Sequence, residues 1–139
     1  MFRKILVPID LTNRHDRALA IATEMAGSPK AEVILLHIIQ QVHGLTQEDD
    51  PAFYQKLEEL SHRHMDEWVD RVQSQSIQCQ GVIRIGERGP EIVRYARETQ
   101  CDLIILASHP VDVTAPGAEW VSLSYLISIG SPCSVLLVK

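Results

Sequence analysis

Two stretches decide how this chain reads: Lys4-Ile5-Leu6-Val7-Pro8-Ile9-Asp10 and Asp102-Leu103-Ile104-Ile105-Leu106-Ala107-Ser108-His109. The first is an apolar run closing on a carboxylate, the second an apolar run closing on a hydroxyl and an imidazole. Both read as strands ending at one level of a sheet. In an open parallel sheet, ligands bind beyond the carboxyl ends of the strands, where the strand order reverses. The second run leads into Pro110-Val111-Asp112-Val113-Thr114-Ala115-Pro116-Gly117-Ala118-Glu119. A phosphate-binding turn at that place calls for glycine, because the backbone must come close to the anion. Proline offers no N–H and valine resists positive φ. The place for a nucleotide is therefore present, and its phosphate half reads as damaged.

Working outward, strand-like runs alternate with helical periodicity five times, which predicts an α/β fold with a parallel sheet. The first strand spans about 4–10. A helix over about 13–26 follows, with Ala18, Leu19, Ala22, Met25 and Ala26 on one face, Thr12 or Asn13 as its cap, and Gly27-Ser28-Pro29 as its stop. Val33 to Ile39 is apolar on both faces, as a central parallel strand should be. A polar loop over 40–50 leads to a helix over about 51–75, opened by Asp50-Pro51 and striped by Phe53, Leu57, Leu60, His64, Trp68 and Val72. His64 on that stripe reads as a packed core histidine. The third strand spans about 77–85. Gly86-Glu87-Arg88-Gly89-Pro90 reads as a turn into a helix with Ile92, Val93 and Ala96 inward. The fourth strand is 102–108. A helix over about 118–129 carries Trp120, Leu123, Leu126 and Ile127, and Ser134-Val135-Leu136-Leu137-Val138 is the fifth strand.

The 139 residues read as one domain, 1–139, with 45% apolar and 22% charged residues, ordinary globular values. A net charge of -5 without a basic patch argues against nucleic acid as a partner. The N-terminus lacks the apolar stretch of a signal peptide, and no run reaches the ~20 apolar residues of a membrane span. Three scattered cysteines, Cys79, Cys101 and Cys133, read as reduced, buried thiols and point to the cytoplasm. No HExxH motif or cysteine pair supports a metal site.

Five segments in order resemble the universal stress protein family: Lys4 to Asp10, Leu36-His37-Ile38-Ile39, Gly86 with Pro90 to Ala96, Asp102 to His109, and Ser131-Pro132-Cys133 to Val138. The resemblance spans the whole chain. It implies a five-stranded parallel sheet flanked by helices on both faces, of the adenine nucleotide alpha hydrolase-like (Rossmann-like) kind, with strand order 3-2-1-4-5. It implies a homodimer through the last strand, Val135, Leu136, Leu137 and Val138. It also implies an adenosine site, with Pro8, Ile9 and Asp10 at the base and ribose and the backbone of Ile38 at the adenine; Ser108 and His109, at the end of the fourth strand within reach of Asp10, and Ser122 complete the candidate nucleotide-binding residues. Members that bind ATP carry G-x2-G-x9-G-(S/T) after the fourth strand. Here the first two glycines fall on Pro110 and Val113, and the closing pair falls near Val121-Ser122, so only Ser122 survives.

No Lys or Arg lies between Glu98 and Val138, which leaves the loop after the fourth strand without a sequence-local cation. Glu119 reads as a first-turn acid of the fourth helix; the sharper reading sets Glu119 or Asp112 where a phosphate would lie. Ser108 and His109, as sequence neighbours, point to opposite faces, which argues against a hydrolytic triad with Asp10. The leading expectation is a stress-linked regulatory protein, not an enzyme, with weak or no ATP binding and a protein partner. The alternative is a sensor of AMP, cAMP, c-di-AMP or ATP in the cleft between strands one and four. An ATP hydrolase ranks last, because no basic residue is expected near the phosphate loop to stabilise transferring charge.

Overall fold

The computed structural model describes residues 2–27, 31–108, 114 and 122–139. Its elements, in chain order, are β1 (Lys4–Pro8), a short 3-10 turn (Asn13–His15), α1 (Asp16–Met25), β2 (Glu32–Gln40), α2 (Pro51–Gln73), β3 (Gln78–Gly86), α3 (Arg88–Glu98), β4 (Leu103–Ala107), α4 (Leu123–Gly130) and β5 (Ser134–Val138). All strand pairs are parallel, and the order is β3-β2-β1-β4-β5, as the sequence predicts. The three inner strands run apolar on both faces because both faces are covered. Ile5, Val7, Val33, Leu35 and Ile105 pack on one side against α1 and α2 residues such as Leu19, Met65 and Trp68. Leu6, Ile34, Leu36 and Ile104 pack on the other side with Ile92, Tyr95 and Ile127 of α3 and α4.

Three helical stripes differ from expectation. In α2 the buried residues are Tyr54, Ser61, Met65, Trp68 and Val72, while Phe53, Leu60 and His64 are exposed. Trp68 and Val72 are buried as expected, but ahead of them the face is rotated by one residue, ~100° on a helix, so that Tyr54, Ser61 and Met65 replace Phe53, Leu60 and His64. The reason lies in β3: a Cβ on Gly81 would stand 2.3 Å from Met65 Cγ, so this glycine opens the groove that admits Met65. Tyr54 is anchored as well, its hydroxyl accepting from the Val42 N–H at 3.0 Å and donating to the Leu45 carbonyl. In α1, Met25 is exposed on the flank of a stripe made by Ala18, Leu19, Ala22 and Ala26. In α4, Ile127 is buried, Leu126 faces outward, and the partly exposed Leu123 lines the end of the sheet. Of the cysteines, Cys101 is buried and the other two are half-buried; all are free thiols. Burial pushes the Cys79 thiol up to about 12.

β3 and β5 are the sheet edges. No helix among the described residues is long and apolar enough to cross a membrane.

Candidate functional site

The β1–β2 register ends at Pro8–Leu36, with the Ile9 N–H still donating to the Leu36 carbonyl at 2.9 Å. Backbone groups of alternate strand residues point to the same edge. Ile38, two residues beyond Leu36, therefore turns its N–H and C=O toward β1 where the ladder has stopped. β4 ends at Ala107, so a notch opens between β1 and β4 at their carboxyl ends. Pro8, Ile9, Asp10, Ile38, Leu106 and Ala107 line it, with Arg14, His15, Arg88 and Ser124 among the polar groups at its walls. The cavity volume is about 60 Å³. That is narrow beside the ~300–1,000 Å³ of common ligand pockets.

Asp10 organises the β1 wall. Its Oδ1 accepts from the Thr12 N–H at 3.0 Å and from the Thr12 hydroxyl, and lies 2.8 Å from His15 Nε2. Its Oδ2 lies 2.6 Å from Arg14 Nη2. These bonds hold a turn in which Leu11 sits at φ 67°, a left-handed conformation worth ~1–2 kcal/mol of strain for a residue with a Cβ. Burial pushes the Asp10 carboxyl up, but the Thr12 hydroxyl, the His15 imidazole, the Thr12 N–H and the Arg14 guanidinium outweigh it, and its pKa is lowered. Thr12, expected as a helix cap, makes no side-chain cap bond and spends its hydroxyl on Asp10.

Two imidazoles flank this carboxylate, and sequence reading assigned neither to the site. His15 is only 7% exposed, and burial holds it below its ordinary pKa despite Asp10. His37 Nδ1 lies 2.9 Å from the Ile9 carbonyl, a distance at which its N–H donates. Burial lowers its pKa too, against that hydrogen bond. A basic environment at the cleft was also not expected. Arg14 and Arg88 line it, and Lys139 Nζ reaches Ser108 Oγ at 3.4 Å, next to the loop. The cations come from the first turn after β1, the start of α3 and the end of β5, so no local stretch of sequence reveals them.

The β4 wall is different. Extending the β1–β4 register sets Ser108 level with Asp10, yet the Ser108 hydroxyl meets Ser124 Oγ at 3.3 Å and Lys139. Ser122 caps α4, its hydroxyl accepting from the Tyr125 N–H at 3.2 Å. Neither Ser108 nor Ser122 lines the cleft, so the site residues divide: Pro8, Ile9, Asp10 and Ile38 are brought together, and the two serines stand apart. His109, Asp112, Glu119 and the loop between them, apart from Thr114, lie outside the described residues. Among the described residues, no group of three or more His, Cys, Asp or Glu side chains is placed to hold a metal ion.

The universal stress protein family matches residues 1–139. The chain belongs to that family. Universal stress protein YxiE of Bacillus subtilis is 25% identical to it over 152 residues, with both chains covered in full. The solved structure of hypothetical protein MJ0577 is similar at 27% identity and a TM-score of 0.83, covering 100% of this chain and 96% of that one. More distant universal stress proteins share the fold and hold nucleotides. One from Archaeoglobus fulgidus is a complex with dAMP (16% identity, TM-score 0.71, 99% and 98% of the two chains covered). Another is a complex with cAMP (17%, 0.74, 99% and 97%). A family member from Arabidopsis thaliana has AMP bound (14%, 0.71, 99% and 91%).

Proposed function

We propose that this universal stress protein is a single-domain, cytoplasmic regulator whose cleft takes an adenine nucleotide bearing one phosphate, with weak affinity for ATP and no catalytic turnover. The observation that carries the reading is the notch between β1 and β4, where Pro8, Ile9, Asp10 and Ile38 converge beneath two arginines. The free edge of Ile38 offers the donor and acceptor that an adenine edge requires. The family relatives that hold dAMP, cAMP and AMP support the ligand class. Loss of glycine at Pro110 and Val113 weighs against a triphosphate, since each lost hydrogen bond to a charged group is worth about 1.5–3 kcal/mol, roughly ten- to 150-fold in affinity. Against catalysis stands the place of Ser108, whose hydroxyl meets Ser124 and Lys139 and does not line the cleft.

Isothermal titration of the purified chain with AMP, cAMP, c-di-AMP and ATP, with and without magnesium, tests this. Binding of AMP or cAMP at least tenfold tighter than ATP is the expected result. Tight ATP binding refutes the weak-triphosphate reading, and no heat with any of the four moves the function to a protein partner. ATP turnover abolished by Asp10→Ala would make the chain an enzyme.

The same proposal includes a homodimer through β5. That strand pairs only with β4, Leu136 is exposed on it, and Tyr125, Leu126 and Ile129 of α4 stand exposed on the helix before it. An unpaired apolar edge is a template for a second copy. Sedimentation at micromolar concentration should give a dimer that Leu136→Lys disperses; a wild-type monomer removes the idea.

A further inference from the structure

The charges of the cleft do not balance. The Asp10 carboxylate is satisfied by Thr12, Arg14 and His15. Arg88 has no such counterpart: its guanidinium makes no ion pair or hydrogen bond among the described residues, although it lines the cleft and is half-buried. It stands at the first residue of α3 (Arg88–Glu98), where the helix end is itself partly positive and disfavours a cation. A half-buried, unpaired cation in such a place is stabilised by a joining anion. Its positive charge adds to burial in lowering the pKa of both His15 and His37.

His15 carries a second imbalance. Its side chain is more than nine-tenths buried and lines the same cleft, and its Nδ1 has no hydrogen-bond partner. A buried polar atom left unsatisfied costs about 1–3 kcal/mol. With Nε2 engaged by Asp10, Nδ1 is the free position.

We propose that Arg88 and His15 form an anion subsite on the β1–α3 side of the cleft, and that it holds the phosphate monoester of the nucleotide. This rests on the nucleotide reading above and deepens it. Arg88 presents a planar fork to two phosphate oxygens. His15 Nε2 accepts from the Asp10 backbone N–H at 3.1 Å, so Nδ1 carries the proton and donates it to a third oxygen. The phosphate is thus taken by side chains from β1's outgoing turn and from α3, and no glycine turn after β4 is required. That accounts for a chain with Pro110 and Val113 where a backbone cradle would need glycine. A single guanidinium suits one phosphate and has nothing further to offer a second or third.

The test compares adenosine with AMP, by calorimetry, on the wild-type chain, Arg88→Gln and His15→Gln, with thermal melts to establish that each variant is folded. AMP should bind the wild type at least about tenfold tighter than adenosine, the worth of a single hydrogen bond to a charged group. Arg88→Gln should close that gap, and His15→Gln should narrow it. If Arg88→Gln does not fold, Arg88→Lys, which keeps the charge without the fork, should lose part of the gap. Equal affinities on the wild type, or a gap that survives in the Arg88 variants, overturn the subsite while leaving an adenosine cleft intact. Failure of the wild type to bind either compound overturns the nucleotide reading and the subsite with it.

Discussion

The two walls of the cleft are built from similar numbers of polar groups and differ in how those groups are spent. On the β1 side, Asp10, Thr12, Arg14 and His15 form one tight cluster around a left-handed residue, and Arg88 and His15 Nδ1 remain unmatched. On the β4 side, Ser108, Ser122, Ser124 and Lys139 satisfy one another or cap a helix. Unspent polarity in a cavity is capacity to bind, because a ligand gains there what water cannot supply once the site is closed. On the proposed reading, the β1 wall is the working half of the site and the β4 wall is scaffold.

Substitutions break or sharpen that contrast. The largest effect belongs to Asp10→Ala. It removes four side-chain contacts from the turn that holds Leu11 in its strained conformation, while the residue-10 N–H still meets His15 Nε2, so chemical denaturation should show a loss of ~2–4 kcal/mol. Ser122→Ala on the other wall should cost about 1 kcal/mol, the worth of an N-cap, and leave ligand affinity unchanged. A loss of AMP binding in Ser122→Ala would show that the β4 wall works after all.

The walls should also differ in their response to pH. His15 and His37 both titrate below their unfolded value of about 6.5. A depressed imidazole makes the unfolded chain bind more protons, so stability rises with pH through that window. Melting temperature should therefore fall as pH drops from 7 toward 5. A His15→Gln, His37→Gln chain should show a flatter profile, whereas Ser108→Ala should keep the wild-type slope. The smallest effect is that of Ser108→Ala on stability at pH 7, within about 0.5 kcal/mol, because Ser124 and Lys139 remain solvated at the sheet end. A larger loss would mean that the Ser108–Ser124 contact is structural.

Much of this was legible before the fold was known. Five apolar runs separated by helical periods predict the parallel sheet, and Pro8, Ile9, Asp10 and Ile38 meet because strand ends in such a sheet gather by topology. The stripe of α2 was misread because Phe53 and Tyr54 are adjacent and both fit an apolar face; the choice is made by Gly81, a residue of another element. Arg88 was legible only as part of a turn, since nothing in Gly86-Glu87-Arg88-Gly89 shows that α3 aims its first residue at the end of β1. His15 carries a weak local signal, five residues after a strand-ending aspartate, but its burial depends on packing that no spacing rule expresses.

The most direct test of the unequal walls is a two-dimensional amide NMR titration of the full chain with AMP. The account predicts saturable shifts centred on Asp10, His15, Ile38 and Arg88, with little change at Ser108, Ser124 and Lys139. Shifts centred on Ser108, Ser122 and Lys139, or no saturable shift at all, would contradict it.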